Sequence, residues 1–485
     1  MGSAAPGVPR RLRQLDDIAR HRPVHVVWEL TLACNLRCSH CGSRAGRPRR
    51  DELSTDECLD VVRQLAALGT REVSLIGGEA FLRRDWLSII AAISAAGMHC
   101  GMQTGARALD ETKIRAAVAA GLRTLGVSID GPPAVHDRLR GVAGSYDQGL
   151  AALRSAARAG LRPGVNTQIN ACSKPHLREV FDAIVSAGAR FWQVQLTVPM
   201  GNAADHAEML LQPHEIVETI DTLAELFERG RKLGVRVIPG NNVGYFGPHE
   251  AGWRTLTDEP AYWSGCSAGE TTLALEADGT IKACPSLPKE RYSGGTTRSA
   301  TLEQALAAMA PRTLRAERPR GQGFCGSCYY WSVCQGGCTW MADALTGARG
   351  NNPYCYYRAR ELAKRGLRER VVKVAEAPGH SFDTARFDIV LEDKSGAPAE
   401  ARLGLDQKGR RRGRSLVACG ACGEHIYATE SRCVHCDSPR SKAKKPDRDA
   451  ATAVQTLLAR IDDDMQSIRE LCAADRSGAA EGSAG

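Results

Sequence analysis

From residue 24 to about 240, short apolar runs of β character alternate with stretches whose apolar residues recur every three or four positions. The runs Val24–Thr31, Glu72–Gly77, His99–Thr104, Thr124–Asp130, Arg162–Asn170 and Phe191–Pro199 predict strands. The intervening patterns predict helices over 54–68, 85–96, 110–120, 145–159 and 176–188. A sixth helix is expected over 213–233, ending at Gly234 before another apolar run, Val235–Pro239. Strand–helix alternation with short connections implies a parallel sheet with right-handed crossovers. Six such units make an α/β fold, a partial (β/α)6 barrel of TIM type. Chemistry in such barrels sits at the C-terminal ends of strands. Cys34–Cys41, Gly77–Glu79, Gln103–Thr104, Ser128–Asp130, Asn166–Gln168 and Leu196 fall at or near those ends.

After residue 240 the alternation stops and Gly, Trp, Tyr and Cys become frequent. Residues 361–375 read as a basic helix, Phe387–Leu391 as a strand, and Lys408–Arg414 as a basic linker. A compact cysteine module occupies 416–438, followed by a Lys-rich spacer at 442–448. Val454, Leu457, Leu458, Ile461, Met465, Ile468 and Leu471 are spaced for one face of a helix over 449–473. The tail after 475 is small and polar and reads as disordered.

Composition narrows the class. A chain of 485 residues has material for two or three domains. The net charge of +9 comes from 64 bases mixed with 55 acids, and aromatics are only 5%, which disfavours a nucleic-acid role. Met1 to Arg20 is polar and Arg-rich without an apolar segment, so no export signal is expected, and no run approaches membrane-spanning length. Eighteen cysteines in such a chain argue for metal ligation in a reducing cytoplasm rather than for disulfides. All but Cys58, Cys100, Cys172 and Cys472 fall into motifs, and those four read as packing residues or spare thiols.

The first motif is Cys34-x3-Cys38-x2-Cys41, directly after the first predicted strand. By spacing alone it suits half a zinc site, an electron-transfer cluster completed by a distant cysteine, or a [4Fe–4S] cube with one open iron. The segment Cys34-Asn35-Leu36-Arg37-Cys38-Ser39-His40-Cys41 resembles the signature of the radical S-adenosylmethionine (SAM) enzymes, and Ile76-Gly77-Gly78-Glu79 resembles their motif for the methionine amino group. The resemblance covers most of residues 20–360. It implies that SAM chelates the open iron and is cleaved by one electron to a 5′-deoxyadenosyl radical that takes hydrogen from a substrate. It also implies that Gly77, Gly78 and Glu79 bind SAM, that Ser128 contacts its ribose or carboxylate, and that Arg140 pairs with the carboxylate. Gln103 and Leu196 are expected to line the pocket. Two departures stand out: Ala80 replaces the family's proline, and Gln103-Thr104-Gly105 replaces its Thr-Asn-Gly.

Cys266, Cys284, Cys325, Cys328, Cys334, Cys338 and Cys355 match the spacing of the SPASM extension of these enzymes. Two zinc sites are the competing reading, though seven cysteines with irregular gaps suit two closed sites poorly. By the family pattern Cys325, Cys328, Cys334 and Cys355 close one auxiliary [4Fe–4S] cluster, while Cys266, Cys284 and Cys338 hold another. Cys172 to Cys266 contains no further cysteine, so one auxiliary iron is left open or takes another kind of ligand, and a peptide thiolate is a candidate. Sulfatase-maturating relatives place a basic Asp after the position of Cys284, where this chain has Pro285. Asp130, Glu270 and Tyr245 are alternative bases with nothing to separate them.

Cys419-x2-Cys422-x10-Cys433-x2-Cys436 reads as a zinc ribbon, with a rubredoxin-like iron site or a fourth cluster as alternatives. His425 and His435 are read as bystanders. The expected organisation is an extension at 1–23, the barrel at 24–240, the SPASM domain at 241–360, a connecting helix, strand and linker at 361–415, the zinc-ribbon-like module at 416–438 and the final helix at 449–473. The function implied is radical modification of a peptide or small protein, with three [4Fe–4S] clusters, one zinc and a reductant such as flavodoxin or ferredoxin. A small substrate such as a haem precursor, or a non-enzymatic iron–sulfur protein, is the alternative. With fewer than 25 residues before the first strand, leader recognition is assigned to 361–485.

Overall fold

Seven strands follow one another side by side, all parallel, in a computed structural model that describes residues 13–254, 261–313, 323–399 and 416–440. They are β1 (His25–Glu29), β2 (Glu72–Ile76), β3 (His99–Thr104), β4 (Leu122–Ser128), β5 (Arg162–Ile169), β6 (Phe191–Leu196) and β7 (Arg236–Pro239). Each predicted strand is present, most of them shortened at one end or both, whereas β3 matches and β4 begins earlier, and the predicted helices fill the crossovers. The first crossover helix, Thr55–Ala67, starts where a capping box dictates: Glu57 N–H donates to Ser54 Oγ and Ser54 N–H to the Glu57 carboxylate. An extra helix, Pro133–Arg140, stands where no element was predicted, with Pro133 in its first turn.

The sheet does not end at β1. β8 (Thr272–Leu275) pairs parallel to β1, and β9 (Thr280–Lys282) and β10 (Ser293–Thr296) continue it antiparallel. The cysteine-rich region therefore begins as an extension of the barrel's own sheet. Alternation along the strands separates two faces. Met102, Val127, Val165, Trp192 and Val194 are fully buried, and Trp192 meets Phe181 of the helix Leu177–Ser186 with ring centroids 5.7 Å apart. The opposite, helix-free face is polar and partly exposed.

One expectation fails. Residues 361–375 do not form a helix: the helix Tyr356–Ala363 stops, Gly366 takes a left-handed φ of 73°, and β11 (Leu367–Ala375) pairs antiparallel with β12 (Arg386–Asp393). The bases that suggested a basic helix instead pair across the hairpin, Arg368 and Arg370 to Glu392 at 2.7 and 3.1 Å. Val371 and Val372 favour the pleated conformation. The strand expected at Phe387–Leu391 lies inside β12.

The chain divides into two compact units, Met1–Arg414 and Ser415–Gly485. In the second, β13 (Leu416–Ala418) and β14 (His425–Tyr427) form a hairpin. The basic linker at 408–414, the spacer at 442–448, the helix expected over 449–473, Cys472 and the tail lie outside the described residues. Among the described residues no helix is long and apolar enough to cross a membrane.

Candidate functional site

The three-cysteine loop leaves the end of β1 already tied to the loop after β2. Leu30 N–H donates to Ile76 O at 2.9 Å, Gly78 N–H to Thr31 O at 2.8 Å and Glu79 N–H to Ala33 O at 2.8 Å. Parallel pairing thus runs on past both strands. Gly77 and Gly78 are needed for that contact itself: a Cβ on Gly77 would stand 2.3 Å from Thr31 O, and one on Gly78 2.2 Å from Ala33 O. The sequence suggested that these glycines admit a ligand; the backbone they admit is that of the cysteine loop. The neck of the loop is closed by Cys34 N–H to Gly46 O and Gly46 N–H to Leu32 O.

Each sulfur of the loop accepts a hydrogen bond, Cys34 from Leu36 N–H at 3.4 Å, Cys41 from Ala45 N–H at 3.4 Å and Cys38 from Arg140 Nη1 at 3.7 Å. Burial pushes the Cys34 and Cys38 thiols up to about 12 and about 11. Buried thiols with donors aimed at them are suited to ligation, since a metal stabilises the thiolate that burial disfavours.

Beside this loop Glu79 is almost fully buried. Its carboxylate accepts from Thr104 Oγ1 and, at 2.6 Å, from Gly105 N–H, and burial still pushes it up to about 7. Arg140 is held by Asp130, Nη2 to Oδ2 at 2.6 Å, and His40 Nε2 lies 3.6 Å from the same carboxylate. Burial would raise the Asp130 carboxyl, but Arg140, His40 and His136 together hold it below the usual range. Asp130 is therefore the counter-charge of Arg140 and is poorly placed as a base. The Arg140 Nε stays buried without a partner, as do His40 Nδ1 and His136 Nε2. A buried carboxylate near an orphaned guanidinium N–H is complementary to the two ends of an α-amino acid such as the methionine part of SAM.

The remaining expected pocket residues sit at strand ends. Gln103 accepts from Asn166 Nδ2 across Gly126, and Ser128 is partly exposed at the end of β4. Leu196 is fully buried, and its N–H and C=O are both taken by the Asn242 side chain, at 3.2 and 2.8 Å. Asn242 carries no sequence signal; only the fold brings it to β6.

The seven later cysteines lie in two neighbourhoods. Burial raises the thiols of Cys325, Cys328, Cys334 and Cys355, and mutual proximity raises Cys328 and Cys334 further. The four line one apolar cavity together with Tyr330, Trp331 and Tyr357. Cys266, Cys284 and Cys338 form a second group by the same criterion. Arg358, fully buried, makes a bidentate pair with Glu369 of β11 at 2.6 and 2.7 Å and lies near Cys325 and Cys355. Tyr245 donates to Asn241 O and accepts from Cys338 N–H, and burial raises it well above the ordinary phenol, so it too is no free base. Glu270 is buried.

A strap that the sequence gave no reason to notice packs against the far side of the first loop. Phe382 N–H donates to Gly42 O, Ser381 Oγ to Ser43 O, and Gly201 N–H to Asp383 O. Asp383, almost fully buried, is paired at 3.1 Å with Arg44, which also binds Asp205 at 2.5 Å. Lys282 Nζ sits 3.9 Å from the centroid of the Phe382 ring and donates to Pro285 O, next to Cys284. Replacing Arg44 with Ala leaves Asp383 buried without its cation and is expected to cost roughly 3 kcal/mol, read as a lower urea midpoint at unchanged m-value.

In the second unit Cys419, Cys422, Cys433 and Cys436 bring all four sulfurs within 4.8 Å of one another. Two of the separations are 3.8 and 3.7 Å. One tetrahedral ion with metal–sulfur bonds of about 2.3 Å requires edges of roughly 3.8 Å. A cube of four irons holds its cysteines farther apart, so the fourth-cluster alternative does not fit this site. Among the described residues no other group of three or more candidate ligand atoms is this close.

Comparison with known proteins agrees with this geometry. Residues 28–172 match the Radical SAM superfamily. An "AdoMet-dependent heme synthase" from Oleidesulfovibrio alaskensis is 25% identical over 382 residues, covering 74% of this chain and 92% of that protein. "Mycofactocin maturase MftC" of Mycobacterium ulcerans is 28% identical over 365 residues, 74% of this chain and 94% of its own. The fold is shared with Streptococcus suis SuiB bound to precursor peptide SuiA, at a TM-score of 0.52 and 15% identity over 70% of this chain and 77% of that one.

Proposed function

We propose, since this chain is a radical SAM enzyme, that it abstracts hydrogen from a peptide and so matures a ribosomally made precursor. The observation that carries the reading is the direct pairing of the three-cysteine loop with Gly78 and the buried Glu79. In this reading Cys34, Cys38 and Cys41 hold a [4Fe–4S] cluster, which supplies the electron that cleaves SAM to a 5′-deoxyadenosyl radical. Glu79 takes the SAM ammonium, and the spare Arg140 N–H faces the carboxylate. Gly77 and Gly78 lock the loop; Gln103, Ser128 and Leu196 border the nucleoside. Cys325, Cys328, Cys334 and Cys355 hold one auxiliary [4Fe–4S] cluster, and Cys266, Cys284 and Cys338 another whose open iron is offered to a substrate thiolate. Cys419, Cys422, Cys433 and Cys436 hold zinc, a flavodoxin or ferredoxin supplies electrons, and the protein works in the cytoplasm. The barrel at 24–240 and the SPASM region at 241–360 divide the work.

Peptide-bound SuiB and the maturase MftC support the peptide substrate, whereas the haem synthase similarity favours a second reading, a haem precursor in the same site. Anaerobic reconstitution, SAM and a reductant test the core claim: 5′-deoxyadenosine should form, and its absence from a sample holding about twelve irons would overturn the reading. Glu79→Gln is expected to weaken SAM binding about ten- to a hundredfold, measured by equilibrium dialysis, because a charge-assisted hydrogen bond is worth roughly 1.5–3 kcal/mol.

A further inference from the structure

The helix-free face of β3 to β6 carries one kind of chemistry. Gln103, Ser128, Asn166, Gln168, Gln193 and Gln195 all point to it, each partly exposed between fully buried neighbours. Strand register makes them a continuous band: Ser128 is level with Asn166, Asn166 with Gln193, and Gln168 with Gln195. Gly126 and Gly164 are paired on the same face, with the Gln103 carboxamide lying over Gly126 and Phe191 level with Gly164. Below this glycine row lie His99 and Arg162; above it these strands present no ionisable side chain to this face. Among the described residues nothing hydrogen-bonds the carboxamides of Gln168, Gln193 or Gln195, whereas Asn166 is spent on Gln103.

In the reading above SAM takes up both charges beside the first loop: Glu79 meets its ammonium, and Arg140, paired with Asp130, gives its spare N–H to the carboxylate, so neither is left for a substrate anion. A polycarboxylate lying on this band would desolvate its acids where these strands present no cation above the glycine row, a cost of several kcal/mol for each unpaired charge. A carboxamide, by contrast, offers one acceptor and two donors, the same groups a peptide unit presents in return. Unpartnered glutamines on adjacent strands suit a ligand with alternating N–H and C=O groups and no charge.

We infer that this band reads the main chain of an extended peptide, with Gln193 and Gln195 as its principal contacts, and that a polycarboxylate such as a haem precursor is excluded on charge. The inference rests on the radical SAM reading above and chooses between its two substrate classes. Its test uses the full-length chain, anaerobically reconstituted, with two probes: a capped (Gly-Ser)4 peptide, neutral and without large side chains, and coproporphyrin III, a tetracarboxylate. Saturation-transfer NMR should detect the peptide on the wild type, with at least a fivefold loss in Gln193→Leu/Gln195→Leu and recovery in Gln193→Asn/Gln195→Asn. The Asn pair separates a lost contact from a misfolded barrel. Coproporphyrin should give no saturable binding. Porphyrin bound more tightly than peptide, or peptide signal undiminished by the Leu pair, overturns the inference. Deoxyadenosine formation by the same wild-type sample reports separately: SAM cleavage without peptide binding sinks the inference and leaves the reading, while no cleavage sinks the reading itself.

Discussion

Gly78→Ala is expected to lower SAM cleavage at least about a hundredfold and to reduce the iron retained by the first cysteine loop. The added Cβ would stand 2.2 Å from Ala33 O, 2.6 Å from Ala33 C and 2.8 Å from Cys34 Cβ. The first two of these are backbone atoms, so no side-chain rotation relieves the clash. Relief requires the two loops to part, which breaks the Gly78–Thr31 and Glu79–Ala33 hydrogen bonds, both 2.8 Å. Cys34 and Glu79 then move relative to each other, and a misplacement of about 1 Å is enough to cost about a hundredfold in rate. Overpacking adds roughly 1–3 kcal/mol of destabilisation, so melting should be followed alongside chromatographic 5′-deoxyadenosine. Gly46→Ala is the matched control: it sits at the neck of the same loop, where a Cβ meets nothing within 4 Å. If Gly78→Ala cleaves SAM within twofold of wild type, the pairing of the loops does not set the site.

The same pair of glycines shows what was legible beforehand and what was not. Their type and position after a strand pointed to the site, but the reason for them did not, because the clash is with residues more than forty positions earlier. Strand–helix alternation is a local signal, and so the parallel barrel and its order were readable from Val24 onward. The continuation of the sheet through β8 was not, since Thr272–Leu275 is four residues long and its partner β1 is some 240 residues away. Charge misled at 361–375, which read as a basic helix, whereas Arg368 and Arg370 find their partner in Glu392 across a hairpin. The division of the later cysteines into four and three came from the family resemblance and not from their spacing alone. Arg358, Asn242 and the strap at 379–384 have ordinary composition, and only tertiary contact gives them a role.

The strap also changes how the two cysteine regions are to be understood. Phe382 touches the first loop through its N–H and the Cys284 region through its ring, by way of Lys282. A segment expected to be a connector is thus packed against both. This makes residues 379–384 part of the architecture of the first unit, where a connector and leader recognition had been the expectation.

Removing the metal from the C-terminal module is expected to unfold residues 416–440 outright. Cys419, Ile426 and Cys433 cluster there with Cys422 packed against them, and Leu416 and Tyr427 are the other buried apolar residues, so little apolar core remains once the sulfurs lose their ion. β13 and β14 have three residues each, and an isolated two-stranded hairpin is marginal at best in water. A structural zinc contributes about 10–16 kcal/mol at neutral pH, far more than such a core can replace. Treatment of the full-length protein with a chelator, or Cys433→Ser, should therefore bring the amides of Gly423, Cys433 and Asp437 to coil-like hydrogen exchange. Each of these donates a turn hydrogen bond within the module, to Cys419 O, Ser438 O and Cys433 O respectively. Amides of β1 to β6 should keep their protection, since the two units are separately compact. Metal analysis before treatment should find one ion beyond the cluster iron, because sulfurs 3.7 and 3.8 Å apart leave room for one. Zinc rather than iron is the expected identity, and a colourless isolated module would agree with it. Unchanged exchange in 416–440 after complete removal of the ion would mean that the hairpin is held by contacts other than its four thiolates.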